Sequence, residues 1–162
     1  MKIRTATSSD CADLTDTSRC AFDADAEVGA PELGGPPGYD SVEWHRRMLD
    51  EASVFTITTG DGVVIGGAFA FPPTSPNELY LGRIWLEPEH QNRGLGREAM
   101  ARLEKLFPQV RRWTLGTPTW NTRNQHFYQR CGYEIIGPEG EDGVLFEKII
   151  DPSGGQAQAT HG

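Results

Sequence analysis

Gln91-Asn92-Arg93-Gly94-Leu95-Gly96 follows an apolar run that ends at Pro88, and it opens an amphipathic segment. The order predicts a strand, a short turn, a glycine-bearing loop and then a helix. Such a junction attracts anions. The first N–H groups of a helix lack intrahelical partners, and the helix dipole adds partial positive charge at that end. Gly94 and Gly96 let main chain approach a phosphate with no Cβ in the way. Arg93 and Arg97 flank the loop and can add charge-assisted contacts. No Lys-Ser/Thr follows the glycines as a P-loop requires, and the first glycine of a dinucleotide fingerprint is absent. The loop predicts a pyrophosphate site outside those two classes. Taken alone it also fits a tight turn before a surface helix.

A second block lies downstream, running from Asn121-Thr122-Arg123-Asn124 through Phe127-Tyr128 to Cys131-Gly132-Tyr133. Ile84-Trp85-Leu86-Glu87-Pro88-Glu89-His90 leads into Gln-x-x-Gly-x-Gly. Asn121 then stands seven residues before Tyr128, with Gly132-Tyr133 after it. In order and separation these blocks resemble the GNAT superfamily of acetyl-CoA-dependent N-acetyltransferases, a likeness that runs from about Lys2 to Ile150. Asn124 departs from the pattern, because many members carry a small apolar residue there.

The resemblance implies a fold and an assignment of roles. The fold is α/β, a mixed, mostly antiparallel central sheet flanked by helices. Acetyl-CoA is the implied cofactor, its pantetheine arm running along Ile84, Trp85 and Leu86 and pairing with their backbone. The Leu86 N–H faces the thioester oxygen, at a point where the strand splays. Gln91, Asn92, Arg93, Gly94, Leu95, Gly96 and Arg97 cradle the pyrophosphate, and Asn121 and Asn124 meet the cofactor's amide-rich arm. Asn121 equally suits a helix N-cap. Tyr128 is the implied general acid: a phenol is protonated at neutral pH and can pass its proton to a departing thiolate. The base is open. Some relatives place a glutamate where this chain has Tyr80, which leaves Glu78 acting through water, or no dedicated base.

Composition narrows the partners. The 162 residues carry a formal net charge of −8, which argues against nucleic acid, since phosphate binding needs a basic surface. No apolar run is long enough to span a bilayer, and the N-terminus lacks a charged-then-apolar leader, so no membrane association and a cytoplasmic location are expected. Cys11, Cys20 and Cys131 are odd in number and lack metal-ligand spacing, which suits free thiols and no metal. The acids crowd the N-terminal third, either as a solvated face or as a lip that attracts a cationic small-molecule amine acceptor. Asp23, Asp25, Tyr39 and Trp44 are the acceptor-binding candidates there, through carboxylate or ring face. Trp44 equally suits core packing, on one helical face with Met48. A homodimer is possible, with Trp113 or Trp120 as exposed contacts. Protein N-termini or lysines are alternative acceptors, and a non-catalytic acyl-CoA sensor is the alternative class.

Along the chain, strands are predicted at 2–5, 54–59, 63–71, 78–87, 112–117, 133–137 and 144–150. Gly60-Asp61-Gly62 joins the second and third as a hairpin. Helices are predicted from a cap at Ser8-Ser9-Asp10 to about Phe22, from Ser41 to about Glu51, from Gly94 to Phe107 and from Asn121 to Cys131. Residues 29–40 and 72–77 read as Gly/Pro-rich loops. One domain, 1–150, is followed by a polar tail, 151–162, expected to be disordered.

Overall fold

The computed structural model describes residues 1–31, 34–71, 75–91 and 93–151. Glu32, Leu33, Pro72, Pro73, Thr74, Asn92 and the tail from 152 onward lie outside the described residues, and with them the expectations for Asn92 and for most of the tail. Seven strands make one sheet: β1 (Lys2–Thr5), β2 (Ser53–Thr58), β3 (Val64–Phe71), β4 (Glu78–Leu86), β5 (Arg112–Pro118), β6 (Glu134–Glu139) and β7 (Gly143–Ile149). Their order is β1-β2-β3-β4-β5-β7-β6. Every neighbouring pair is antiparallel except β4 with β5. A parallel pair needs a crossover, and α3 (Leu95–Lys105) supplies it.

The helices cover the two faces. On one, α3 inserts Ala99, Met100 and Leu103, while its Arg102 and Glu98 pair at 2.8 Å on the solvent side. Leu79 and Leu81 of β4 and Trp113 and Leu115 of β5 point into this layer, with Tyr128 of α4 (Thr122–Arg130). Across the sheet, α1 (Cys11–Asp23) and α2 (Val42–Glu51) pack on Val54, Phe69 and Trp85. Trp113 is fully buried, so it is no exposed dimer contact; a tryptophan alternating with Leu115 on a central strand goes into the core.

Most boundaries agree with the sequence pattern, and the exceptions have local causes. Ser8–Asp10 forms a 3-10 turn that leads into α1, and Asp10 is the N-cap residue without a side-chain cap bond, because its carboxylate turns back to accept the Thr7 N–H at 2.8 Å and to pair with Arg4. The Gly132-Tyr133 pair closes α4. The Gly132 and Tyr133 N–H groups donate to the Gln129 and Tyr128 carbonyls at 3.0 Å each, with Gly132 at φ 97°. This end geometry needs a left-handed residue, and it turns Tyr133 back into the core, its hydroxyl donating to Glu104 at 2.9 Å.

Period-two alternation fails once inside β4. Its register with β3 slips by one residue, Phe69 facing Arg83 and Ala70 facing Leu81, so Gly82 is a bulge. The bulge moves Arg83 and Trp85 to the α1/α2 side. Pairing of β4 with β5 also stops there, at Leu81 with Leu115. Beyond it the two strands diverge.

Candidate active site

The divergence of β4 from β5 leaves a cleft lined by Ile84, Trp85 and Leu86 along one wall, and by α1, α3 and α4 around it. Alternation along an antiparallel pair fixes which β4 amides face it. The Glu87 N–H donates to the Ile65 carbonyl at 2.9 Å, so the N–H groups of Leu86 and Ile84 point away from β3, toward the gap. These are strand donors with no strand beside them. Gln91 reaches back to the same edge, its side-chain amide donating to the Leu86 carbonyl at 2.8 Å.

At the mouth of the gap, the first intrahelical bond of α3 runs from Glu98 N–H to Gly94 O at 3.1 Å, so earlier amides are left for other partners. The two loop glycines serve different needs. Gly94 caps the helix at φ 77°, with open space where a Cβ would be. At Gly96 a Cβ would stand 2.8 Å from the Phe127 ring, so its absence lets α3 and α4 approach each other. Gly94, Gly96 and Arg97 line the cleft with Gln91, and Arg93 is exposed beside them. Leu95 is half-buried and packs toward Ile57, Ile65 and Ala99.

Tyr128 reaches the cleft from α4 and is otherwise buried, ringed by Phe127, Tyr133 and Phe146 at 5.2–6.2 Å. Among the described residues its hydroxyl has no hydrogen-bond partner. Burial pushes its pKa well up, so the phenol is a proton holder at neutral pH. Asn124 lines the cleft. Asn121 is buried below it, its side-chain oxygen accepting the Asn124 N–H at 3.0 Å as the cap of α4.

Arg123, Arg130, Phe127, Phe22 and Ala21 also line the cleft and were not among the sequence candidates. Arg123 and Arg130 stand seven residues apart, two turns along one face of α4, which is the signal that marks them. Arg123 donates to Asp25 at 3.0 Å and to the Gln91 side-chain oxygen at 3.3 Å. Asp25 thus sits buried in the cleft wall, its pKa raised by burial against the opposing pull of Arg123. A protein of net charge −8 thereby presents three arginines, 97, 123 and 130, to one cleft.

The other candidates stand apart from this lining. Tyr39, in the turn that precedes α2, donates to Asp23 at the end of α1 at 2.8 Å. Trp44 packs on Phe69 and carries the Arg83 guanidinium 4.6 Å above its ring. Arg83 also lies over Phe22 and Phe69, and burial lowers its pKa to about 10. Glu78 opens β4, 43% exposed, with Arg112 at 3.7 Å.

The profile described as the acetyltransferase (GNAT) family matches residues 19–133. A Bacillus subtilis protein, YrkN, itself uncharacterized, is 31% identical over 77 residues, 47% of this chain and 42% of that protein. The chain therefore spans less than half of that curated relative. Among solved structures, the PaiA N-acetyltransferase of Thermoplasma acidophilum in complex with coenzyme A superposes with a TM-score of 0.76 at 18% identity, over 92% of this chain and 98% of that one. An acetyltransferase from Thermus thermophilus gives 0.76 at 20% identity, over 92% and 96%. The spermidine N-acetyltransferase of Vibrio cholerae in complex with CoA and spermine gives 0.68 at 15% identity, over 91% and 94%.

Proposed function

The chain belongs to the acetyltransferase (GNAT) family, and from that premise we propose that it is an N-acetyltransferase that moves an acetyl group from acetyl-CoA to a primary amine of a small cationic molecule, by direct attack in a ternary complex. The observation that carries this reading is the unpartnered Tyr128 hydroxyl in a cleft whose strand edge, Ile84 to Leu86, offers free amides. In this reading the pantetheine arm pairs with that edge as a strand would, and the Leu86 N–H stabilises the oxyanion. The pyrophosphate rests on Gly94, Gly96 and Arg97, with Arg123 and Arg130 as further anion contacts. Tyr128 protonates the leaving thiolate.

A cationic acceptor fits the net charge of −8 and the acid-rich N-terminal third, and a spermine complex exists for the similarly folded Vibrio cholerae enzyme. The three free cysteines suit a cytoplasmic setting. In the same reading the protein pairs as a homodimer.

The test is free-thiol release from acetyl-CoA across polyamines, amino acids, aminoglycosides and basic peptides, with Tyr128→Phe beside the wild type. Turnover of one amine class, at least about tenfold slower in the variant with acetyl-CoA binding retained, is the expected result. Tight acetyl-CoA binding with no turnover of any amine would assign the cleft to a sensor.

A further inference from the structure

Glu139 ends β6, with β5 and β7 between it and β4, yet its carboxylate accepts a hydrogen bond from the Tyr80 hydroxyl on β4, at 3.0 Å to one oxygen and 3.2 Å to the other. It gets there by crossing β5 over Gly116. A Cβ on Gly116 would stand 1.7 Å from the nearer carboxylate oxygen, so only glycine leaves that path open. The crossing point lies one residue beyond Leu115, the last β5 residue paired to β4. The carboxylate is therefore delivered to the point where β5 stops pairing with β4 and the two strands begin to diverge.

The face is the opposite one from α3. Leu79 and Leu81 point into the α3 layer, so Tyr80 between them points away, and Gly116 likewise lies opposite Leu115. Phe71 backs the Tyr80 ring at 6.3 Å. In the acetyl-transfer reading an amine acceptor that reached the thioester from this side would meet Tyr80 and Glu139, with Tyr128 on the opposite face. The two phenols are close enough for Tyr80 to raise the pKa of Tyr128.

We propose that Tyr80 and Glu139 form the amine-docking and proton-accepting pair of this chain. This rests on the acetyl-transfer reading. The acceptor's ammonium docks against the Tyr80 oxygen. One of its protons passes to that oxygen as the phenol's own proton moves to Glu139. The freed lone pair forms the C–N bond as the C–S bond breaks. The second N–H proton, lost as the amide forms, replaces the one that Tyr128 gives to the sulfur. One proton in all leaves, from Glu139 to solvent. Tyr80 touches the amine and is catalytic, and Glu139 acts through it. Burial first, and then the Glu139 charge, raise the Tyr80 pKa to about 12, so the phenol stays a donor to the carboxylate across the working pH range.

The other charged groups around the pair are engaged or exposed. On the same face, Arg112 joins Glu147 at 2.5 Å and Glu78 at 3.7 Å. The β6–β7 turn adds exposed Glu141 and Asp142, and the end of α1 adds Asp23, bound by Tyr39, and Asp25, bound by Arg123. All the carboxylates favour a cation. Among the described residues, Glu139 is the carboxylate that accepts from the Tyr80 hydroxyl.

Glu139→Gln keeps an acceptor for Tyr80 and is close to isosteric, so the fold is preserved; Tm and coenzyme A binding are the controls. Calorimetry of the amine panel on coenzyme A-loaded protein, and pH profiles of kcat and kcat/KM, are measured for wild type, Glu139→Gln, Tyr80→Phe and Glu78→Gln. The expected result is weaker amine binding and about a hundredfold lower kcat at pH 7 in the first two variants. The deficit in Glu139→Gln shrinks as pH rises toward the amine's own pKa, because an amine already neutral needs no base. A pH-independent loss, or a loss confined to Glu78→Gln, overturns the pair and leaves acetyl transfer standing. A wild type that neither binds nor acetylates any amine overturns both.

Discussion

Single residues carry several of the constraints, and glycine shows how one residue type serves unlike purposes. Gly96→Ala forces Phe127 or the helix to move, and overpacking of this kind costs about 1–3 kcal/mol. Chemical denaturation should show that loss, with much of it restored by a smaller side chain at 127. Gly94→Ala meets no neighbour and costs only its left-handed backbone, about 1–2 kcal/mol. Both glycines stood out in the sequence, but the reason for Gly96 did not, because Phe127 is far away in the chain. Tyr128 was legible from its spacing to Asn121 and Gly132. Glu139 was not: its partner is 59 residues away and its route depends on a missing side chain on a third strand. At Asp10, the Arg4 guanidinium and its hydrogen bonds hold the carboxyl well below its ordinary range. The folded-state pKa lies under the unfolded one, so the stabilisation is complete above about pH 4 and fades as pH falls below it. Asp10→Asn should lower Tm at pH 7, and the deficit should narrow as thermal scans are taken down toward pH 2.

At the scale of elements, strand and helix order was readable from periodicity and turn residues, while the bulge in β4 was hidden. Gly82 was its one local sign, since glycine inside a strand often marks a bulge. Without the bulge, Arg83 would follow Leu81 into the α3 layer; with it, Arg83 lies among Phe22, Trp44 and Phe69. The divergence it accompanies predicts a graded hydrogen-exchange pattern. Amides of β4 that pair on both sides, up to Leu81, should exchange slowly, and those of Ile84 and Leu86 much faster until coenzyme A is added. The link from α1 to α4 is a second element-level feature. Asp25, Arg123, Gln91 and the Leu86 carbonyl form one chain of contacts across the cleft. Removing Arg123 alone strands a buried carboxylate, so Arg123→Ala should destabilise more than Arg123→Ala with Asp25→Asn. A double-mutant cycle should give about 1–3 kcal/mol of coupling.

Across the whole molecule, charge is sorted rather than spread. Arginines line the cleft beside the loop of α3, whereas carboxylates crowd the N-terminal third and recur at the β6–β7 turn, within a chain of net charge −8. The sequence showed the acidic N-terminal third, but the second acidic source, at the β6–β7 turn, joins it only through the strand order β5-β7-β6. Attraction of the proposed cationic acceptor to this acidic surface would be screened by salt, so kcat/KM should fall as ionic strength rises while kcat changes little. The diverging strands have one more consequence. A sheet with a vacant row of donors is an unfinished piece of secondary structure, and a bound thioester arm would serve as its missing strand. Ligand at a hundred times its dissociation constant adds about 2.7 kcal/mol to the folded state. The protein's resistance to unfolding and proteolysis would then follow the supply of its own acyl donor, making abundance a readout of metabolic state.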